Sequence, residues 1–201
     1  MAISNGYATQ AEFEEWLGDL PAGTTDAILE DAIESASRHV DGLTGDLFYP
    51  LTGATFVFTP NDSSTLSLAP SLRTVTTLKT DDDGDRVYET TWATTDYDLE
   101  PLNASIFSRP YTSIRLAPNG RYAFSRLARG VQIVGDWGWA TAPDPIKTAT
   151  LILAARLFGR KNSPLGVAGS SGIGEAILIG RSDPDVMALV APYRRFAVVA
   201  V

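Results

Sequence analysis

The hydrophobic period of this chain changes twice, and nothing else in it constrains the fold as strongly. Apolar residues recur at helical spacing near the N-terminus, alternate from Pro50 to about Trp139, and return to helical spacing from Asp144. A chain of 201 residues patterned in this way has room for a helical part made from both ends and a β-rich part looped out between them. The expected fold class is α+β: a small helical bundle made from both chain ends, with an inserted antiparallel β-rich domain. The expected boundaries are residues 1–49 and 143–201 for the helical core with its C-terminal arm, and residues 50–142 for the insertion.

The helical ends carry their own start and stop signals. Thr9 with Glu12 three residues on is a capping box, placed ahead of Phe13, Trp16 and Leu17, and Gly18 and Pro21 end that helix. A second helix is predicted from about Asp26 to Leu43, with Ile28, Ala32, Ala36, Val40 and Leu43 as one apolar stripe. Asp144 and Pro145 start a third, since proline at the first helical position loses no hydrogen bond. Residues 146–158 are apolar almost all round, which predicts the most buried element of the chain. Asp183-Pro184 repeats the same start for a last helix, expected to bury Val186, Met187, Leu189 and Val190 before Pro192 ends or kinks it.

Between the helical ends, Phe56 and Phe58, Leu66 and Leu68, Val75 and Leu78, Ile114 and Leu116, and Val131 and Ile133 sit among threonines and other polar residues. Such segments favour strands. Asp83-Gly84 and Asn119-Gly120 are tight-turn dipeptides. They predict hairpins pairing Thr74–Thr80 with Arg86–Thr90 and Thr112–Ala117 with Arg121–Phe124, in a small antiparallel sheet or barrel.

No residue set along the chain matches a catalytic or metal-binding pattern. Cysteine is absent, which excludes disulfides, thiolate metal sites and cysteine nucleophiles. His39 is the only histidine and borders the second helix's stripe, so it reads as structural, and a hydrolase built around it is a competing idea. Asp81-Asp82-Asp83-Gly84-Asp85 fails the EF-hand pattern, because the sixth and twelfth positions counted from Asp81 are Arg86 and Trp92. It is expected to be a solvated hairpin tip, with loose cation binding by the acidic loop as the alternative. Gly166, Gly169, Gly172 and Gly174 match neither phosphate-loop order and predict a flexible loop, ordered only by a partner if at all. No metal, cofactor or catalytic residue is therefore expected, and the chain is not expected to be an enzyme.

Charge and apolar patches point instead to partners. A net charge of −8 argues against general nucleic-acid binding. The charge is uneven, with Arg156, Arg160, Lys161, Arg181, Arg194 and Arg195 against only Glu175, Asp183 and Asp185 after residue 155. A basic end on an acidic body suits docking on an acidic protein surface, unless these are simply solvated arginines. The C-terminal arm supplies the candidate docking residues Tyr193, Arg194, Arg195, Phe196, Val198, Val199 and Val201, with Pro192 loosening its tie to the last helix. Trp137-Gly138-Trp139 is expected to plug the junction between sheet and helix, although paired tryptophans also stack on sugars. No secretory signal or membrane span is visible, so a soluble product is expected.

Taken in order along the chain, several segments resemble the head-to-tail connector (adaptor, or head-completion) proteins of tailed bacteriophages. They are Asn5-Gly6-Tyr7-Ala8-Thr9, Thr44-Gly45-Asp46-Leu47-Phe48, Tyr97-Asp98-Leu99-Glu100-Pro101, Gly135-Asp136-Trp137-Gly138-Trp139, Ala154-Ala155-Arg156-Leu157-Phe158 and Pro192-Tyr193-Arg194-Arg195. The resemblance implies a structural virion protein of the neck. It would form a ring, usually a dodecamer, below the portal protein, extend the DNA channel and join a neck or tail-completion protein, with the genome passing through unbound and no membrane involved. It also implies host cytoplasm as the location before assembly. An insertion as long as residues 50–142 departs from the shortest members. The competing reading is a carbohydrate- or surface-binding β module of a phage or prophage particle, resting on the paired tryptophans.

Overall fold

The computed structural model describes residues 3–161, 167–168, 177–178 and 183–195. Its fold is α+β, and the chain divides into a helical unit drawn from residues 1–44 and 142–195 and a sheet unit holding residues 45–141.

The helical unit contains α1 (Gln10–Leu17), α2 (Asp26–Thr44), α3 (Asp144–Lys161) and α4 (Pro184–Val190). The Thr9 capping box forms as read: its hydroxyl accepts the Glu12 N–H at 3.2 Å, and the Glu12 carboxylate accepts the Thr9 N–H at 2.8 Å. α2 buries Leu29, Ala32, Ile33, Ala36 and Val40. Leu29 and Ile33 thus replace Ile28 and Leu43, which are only half buried, because the inward face follows alternating three- and four-residue steps instead of one row of fours. This face packs against Phe13, Leu151 and Ala154, and Phe158 meets Phe13 edge-on with centroids 6.3 Å apart.

Before α1 the chain lies as a strap across α2. The Ser4 and Asn5 N–H groups donate to the Glu34 carboxylate at 2.7 and 3.0 Å, and the Tyr7 N–H donates to the Ser37 hydroxyl at 3.1 Å. The Tyr7 hydroxyl donates to Asp41, while Arg38 donates to the Asn5 carbonyl and its guanidinium sits over the Tyr7 ring. The Asn5-Gly6-Tyr7 opening therefore has a physical job, fixing an otherwise loose N-terminal segment to the bundle.

α3 is less enclosed than its composition predicts. Ile146, Ala149, Thr150, Leu151 and Ala154 are buried, but Ile152, Leu153 and Ala155 are half buried and Leu157 is exposed. An apolar perimeter is enclosed only where other helices reach it, and α1, α2 and α4 are the helices that pack on it. Two ion pairs bind it to those neighbours: Lys147 to Glu12 at 2.7 Å and Arg156 to the α4 cap residue Asp183 at 2.8 Å.

The sheet unit holds β1 (Leu51–Phe58), β2 (Thr65–Thr80), β3 (Thr90–Thr91), β4 (Tyr97–Glu100), β5 (Tyr111–Leu116) and β6 (Val131–Trp137). They form one antiparallel sheet in the order β1-β6-β2-β5-β4, with β3 on β2. β2 organises it: its first half pairs with β5, setting Leu66 opposite Ile114, and its second half pairs with β6, setting Leu78 opposite Ile133. The core gathers these four residues with Leu68, Leu72, Val131 and Trp137. A separate short ladder pairs β7 (Val167–Ala168) with β8 (Ile177–Leu178).

Two predicted hairpins take another form. Gly120 closes a turn by donating to the Ala117 carbonyl at 2.8 Å, but Arg121–Phe124 is not a strand. Its aromatics are used sideways instead, Phe124 and Tyr122 stacking on the buried Trp92 at 4.8 and 5.4 Å. After β2, strand pairing resumes only at Thr90–Thr91, so residues 81–89 form a wide loop in place of a two-residue turn.

The start and finish of the sheet unit are stitched together. Asp46 accepts the Ser71 N–H at 2.9 Å and the Ser71 hydroxyl, and the Trp139 indole N–H donates to it at 3.3 Å. The Trp139 N–H donates to the Leu47 carbonyl and the Gly138 N–H to the Ser71 carbonyl. Gly138 has φ of +71°, and a β-carbon there would lie 2.2 Å from the Tyr49 carbonyl oxygen. Gly138→Ala should therefore lower stability by about 1–3 kcal/mol, read as a fall in the urea midpoint at unchanged slope.

A second prediction concerns pH. Lys147, and after it the Thr9 N–H, hold the Glu12 carboxyl below its ordinary value, while Glu12 raises Lys147. A lowered carboxyl stabilises above its unfolded pKa and loses that effect as pH falls through the folded one; the raised lysine loses its own as pH rises through its folded value. Both partners are about one-third exposed, so screening holds the pair to less than about 1 kcal/mol. Glu12→Gln, which still accepts the Thr9 N–H, should destabilise by that amount at neutral pH. In parallel urea titrations, the difference from the parent chain should close below about pH 4.

Candidate functional site

The described part of the C-terminal segment, residues 183–195, comprises α4 and a short turn after it. Asp183 caps α4, accepting the Asp185 and Val186 N–H groups at 2.9 and 3.4 Å, with Pro184 following as read. α4 buries Val186 and Val190, while Met187 and Leu189 are half buried. A 3-10 turn over Ala191–Tyr193 continues the chain, and the Arg195 N–H donates to the Thr44 carbonyl at 2.7 Å. Tyr193 and Arg195 are half buried and Arg194 is exposed. Beyond Pro192, this backbone bond joins the described part of the arm to the end of α2. Phe196, Val198, Val199 and Val201 lie outside the described residues, as do Gly166, Gly169, Gly172 and Gly174.

The acidic loop is built inward, not merely solvated. Asp81 is buried; one carboxylate oxygen accepts the N–H groups of Gly84 at 2.6 Å and Asp83 at 3.2 Å, and the other accepts that of Arg86 at 2.8 Å. Burial pushes this carboxyl up, but the backbone N–H groups of Gly84, Arg86, Asp83 and Asp85 together bring it below its ordinary value. Asp83 accepts the Asp85 N–H and Asp85 accepts the Val87 N–H, continuing the pattern. Asp81, Asp83, Asp85 and Glu89 each place a carboxylate oxygen within 4.8 Å of the others, a spacing that a divalent cation accepts. These oxygens already fold the loop through its own amides, so the arrangement reads as a fastening. The expected solvated tip holds for Asp83 and Asp85, which are exposed, and fails for Asp81.

His39 is exposed on α2, and no hydrogen bond joins it to a serine or carboxylate among the described residues. Trp137 is fully buried, donates its indole N–H to the Ala54 carbonyl at 2.8 Å, and packs on Phe56 and Phe58. Trp139 packs on Phe48 and donates to Asp46. Trp137 thus belongs to the core of the sheet, and its burial excludes a sugar-stacking face there.

One exposed apolar surface has no counterpart in the sequence pattern. Between β4 and β5, a 3-10 turn over Ala104–Phe107 buries only Ala104 of its own residues and presents Leu102, Ile106 and Phe107 at 67%, 74% and 72% exposure. It is held by backbone bonds from Ala104 to Pro101, Ile106 to Asn103, and Arg109 to Ala104. Three large apolar side chains exposed between residues 102 and 107 make this turn a candidate interaction surface. No period reveals them, and the only signal is their occurrence in a loop bounded by Pro101 and Pro110.

No family model matches the chain, and a search of curated proteins finds no match. Solved structures do match. A chain from the neck of an empty GTA particle, computed with C6 symmetry, is 19% identical with a TM-score of 0.60; the match covers 100% of this chain and 96% of that one. A chain from the neck of the native particle, computed with C12 symmetry, gives 19% and 0.55 at the same coverage. A chain from the virion of a native gene transfer agent (GTA) particle gives 21% and 0.53, again at that coverage. At these identities the likeness establishes a shared fold along the whole chain.

For the acidic loop, the geometry gives a proteolysis prediction. Asp81→Ala should raise tryptic cleavage after Arg86 by roughly an order of magnitude, read by mass spectrometry, with little change in far-ultraviolet circular dichroism.

Proposed function

We propose that this chain is a non-catalytic structural protein of the neck of a tailed-phage-like particle. In finer terms it is a head-to-tail adaptor. It assembles as a ring, a dodecamer, below the portal protein, extends the DNA channel and presents a platform to a neck or tail-completion protein. The observation that carries this reading is the whole-chain backbone likeness to chains of a symmetric neck, at matched length. The order of connector-like segments along the sequence supports it independently, as does a chain with one exposed histidine and no cysteine. An acidic protein suits a channel that DNA must slide through, because carboxylates repel phosphate. The chain is made in the host cytoplasm and resides in the virion neck; no helix of the described residues is long and apolar enough to cross a membrane. The helical core, residues 1–49 and 143–201, is the connector proper in this proposal, and residues 50–142 are a domain inserted into it.

Docking on the portal or a neighbouring subunit is assigned to the arm from Tyr193 to Val201. Adjacent arginines suit paired carboxylates, and the apolar run after them suits a cleft or sheet edge. The glycine-rich loop at residues 166–174 is proposed to order against a partner. The decisive variant removes residues 196–201 and replaces Arg194 with glutamate, which leaves the Arg195–Thr44 tie in place. Its circular dichroism should match the full chain, while its attachment to purified portal-bearing heads, followed by co-sedimentation, should fall at least tenfold. Undiminished attachment would remove the arm from the proposal.

A further inference from the structure

The two edges of the sheet are defended unequally. β4 is four residues long, carries Asp98 and Glu100, and runs into Pro101. Short length, charge and a proline all discourage another strand from adding there. β1 has none of these defences. Its residues 54–58 pair without a break to β6 on one side, and among the described residues no strand lies on the other. No charged residue or proline stands between Leu51 and Phe58. Thr55 is exposed, while Ala54, Phe56, Val57 and Phe58 are half buried. A regular, uncharged edge of this length accepts a further strand unless something covers it.

We propose that the cover is this chain's own C-terminal segment, residues 196–201, laid along β1 as a further strand while the chain is free. Phe196-Ala197-Val198-Val199-Ala200-Val201 has no charge, proline or glycine and is rich in strand-forming residues. Six extended residues span about 20 Å, enough to cover the ladder at residues 54–58. The segment starts from a fixed point, since the Arg195 N–H donates to the Thr44 carbonyl at 2.7 Å. Only residues 45–50 separate Thr44 from Leu51. Segment and edge therefore leave from the same end of α2, and the added strand runs parallel to β1. Backbone pairing supplies the attachment, as in other cases of strand addition to a sheet edge. A segment tethered this closely acts at an effective concentration on the order of millimolar, so in dilute solution it outcompetes the end of another copy. The consequence for assembly rests on the docking assigned above to the arm: a segment held on β1 cannot also enter a partner, so docking requires its release.

Amide hydrogen exchange, read by mass spectrometry on the dilute full-length chain, tests this. Removing residues 196–201 should speed exchange of the outward-facing N–H groups in residues 54–58 at least tenfold and leave β4 unchanged. Val199→Pro in the full-length chain, which cannot complete the ladder, should do the same. Both variants should keep the far-ultraviolet circular dichroism of the parent. Protection of β1 in the parent should not vary with protein concentration, as it would if another copy were the occupant. Equal exchange in the parent and both variants, or protection that grows with concentration, would overturn the proposal. Neither readout involves portal-bearing heads, so the docking assigned to the arm stands or falls by its own experiment.

Discussion

The Asp46 carboxylate ties together three places that are far apart in sequence: the start of the sheet unit, the middle of β2 at Ser71, and the exit at Trp139. An insertion must bring its two ends close together, and here one buried side chain does so. The two backbone bonds beside it, Trp139 to Leu47 and Gly138 to Ser71, depend on the same closure. Burying a carboxylate is costly unless hydrogen bonds replace water, and this one receives two backbone N–H groups, a hydroxyl and an indole. Gly138 is the corresponding backbone constraint, since no side chain fits between it and the Tyr49 carbonyl.

Within the helical unit, comparable fastenings hold the N-terminal strap and the helices. The strap before α1 spends its N–H groups on Glu34 and Ser37, and α3 is pinned to α1 through Lys147 and to the α4 cap through Arg156. The partly exposed Lys147–Glu12 pair adds little stability by itself, whereas Ser37 and Asp183 accept their bonds from buried positions. Among the described residues, the most exposed large apolar side chains are Leu102, Ile106 and Phe107, with Val87, Trp16, Leu20 and Leu157 exposed elsewhere. For a protein whose proposed work is holding neighbours together, ordered projections of this kind are more informative than any cleft.

Features written in local sequence were legible, and those created by tertiary contact were not. The Thr9–Glu12 box and the Asp183-Pro184 start are satisfied within a few residues, so spacing alone exposed them. The alternation of period likewise exposed the α+β class. Leu66 and Leu68 stand apart from Thr74–Thr80 in the sequence pattern, yet all belong to one strand, Thr65–Thr80. Arg121–Phe124 alternates like a strand, but its aromatics serve Trp92. Asp81 looked like one more solvated acid, since nothing in its neighbours announces that loop amides will converge on it. Of the proposed docking arm, the structure places Tyr193, Arg194 and Arg195, and the tie at Arg195 depends on Thr44, some 150 residues earlier. No sequence window spans that distance.

Neck function is tested most directly by removing this chain's gene from the cells that produce its particle and counting particles by negative-stain electron microscopy. A neck adaptor predicts filled or leaking heads and free tails, with joined particles nearly absent and restored when the full chain is supplied from a second gene copy. Normal yields of joined, tailed particles without the chain would contradict it.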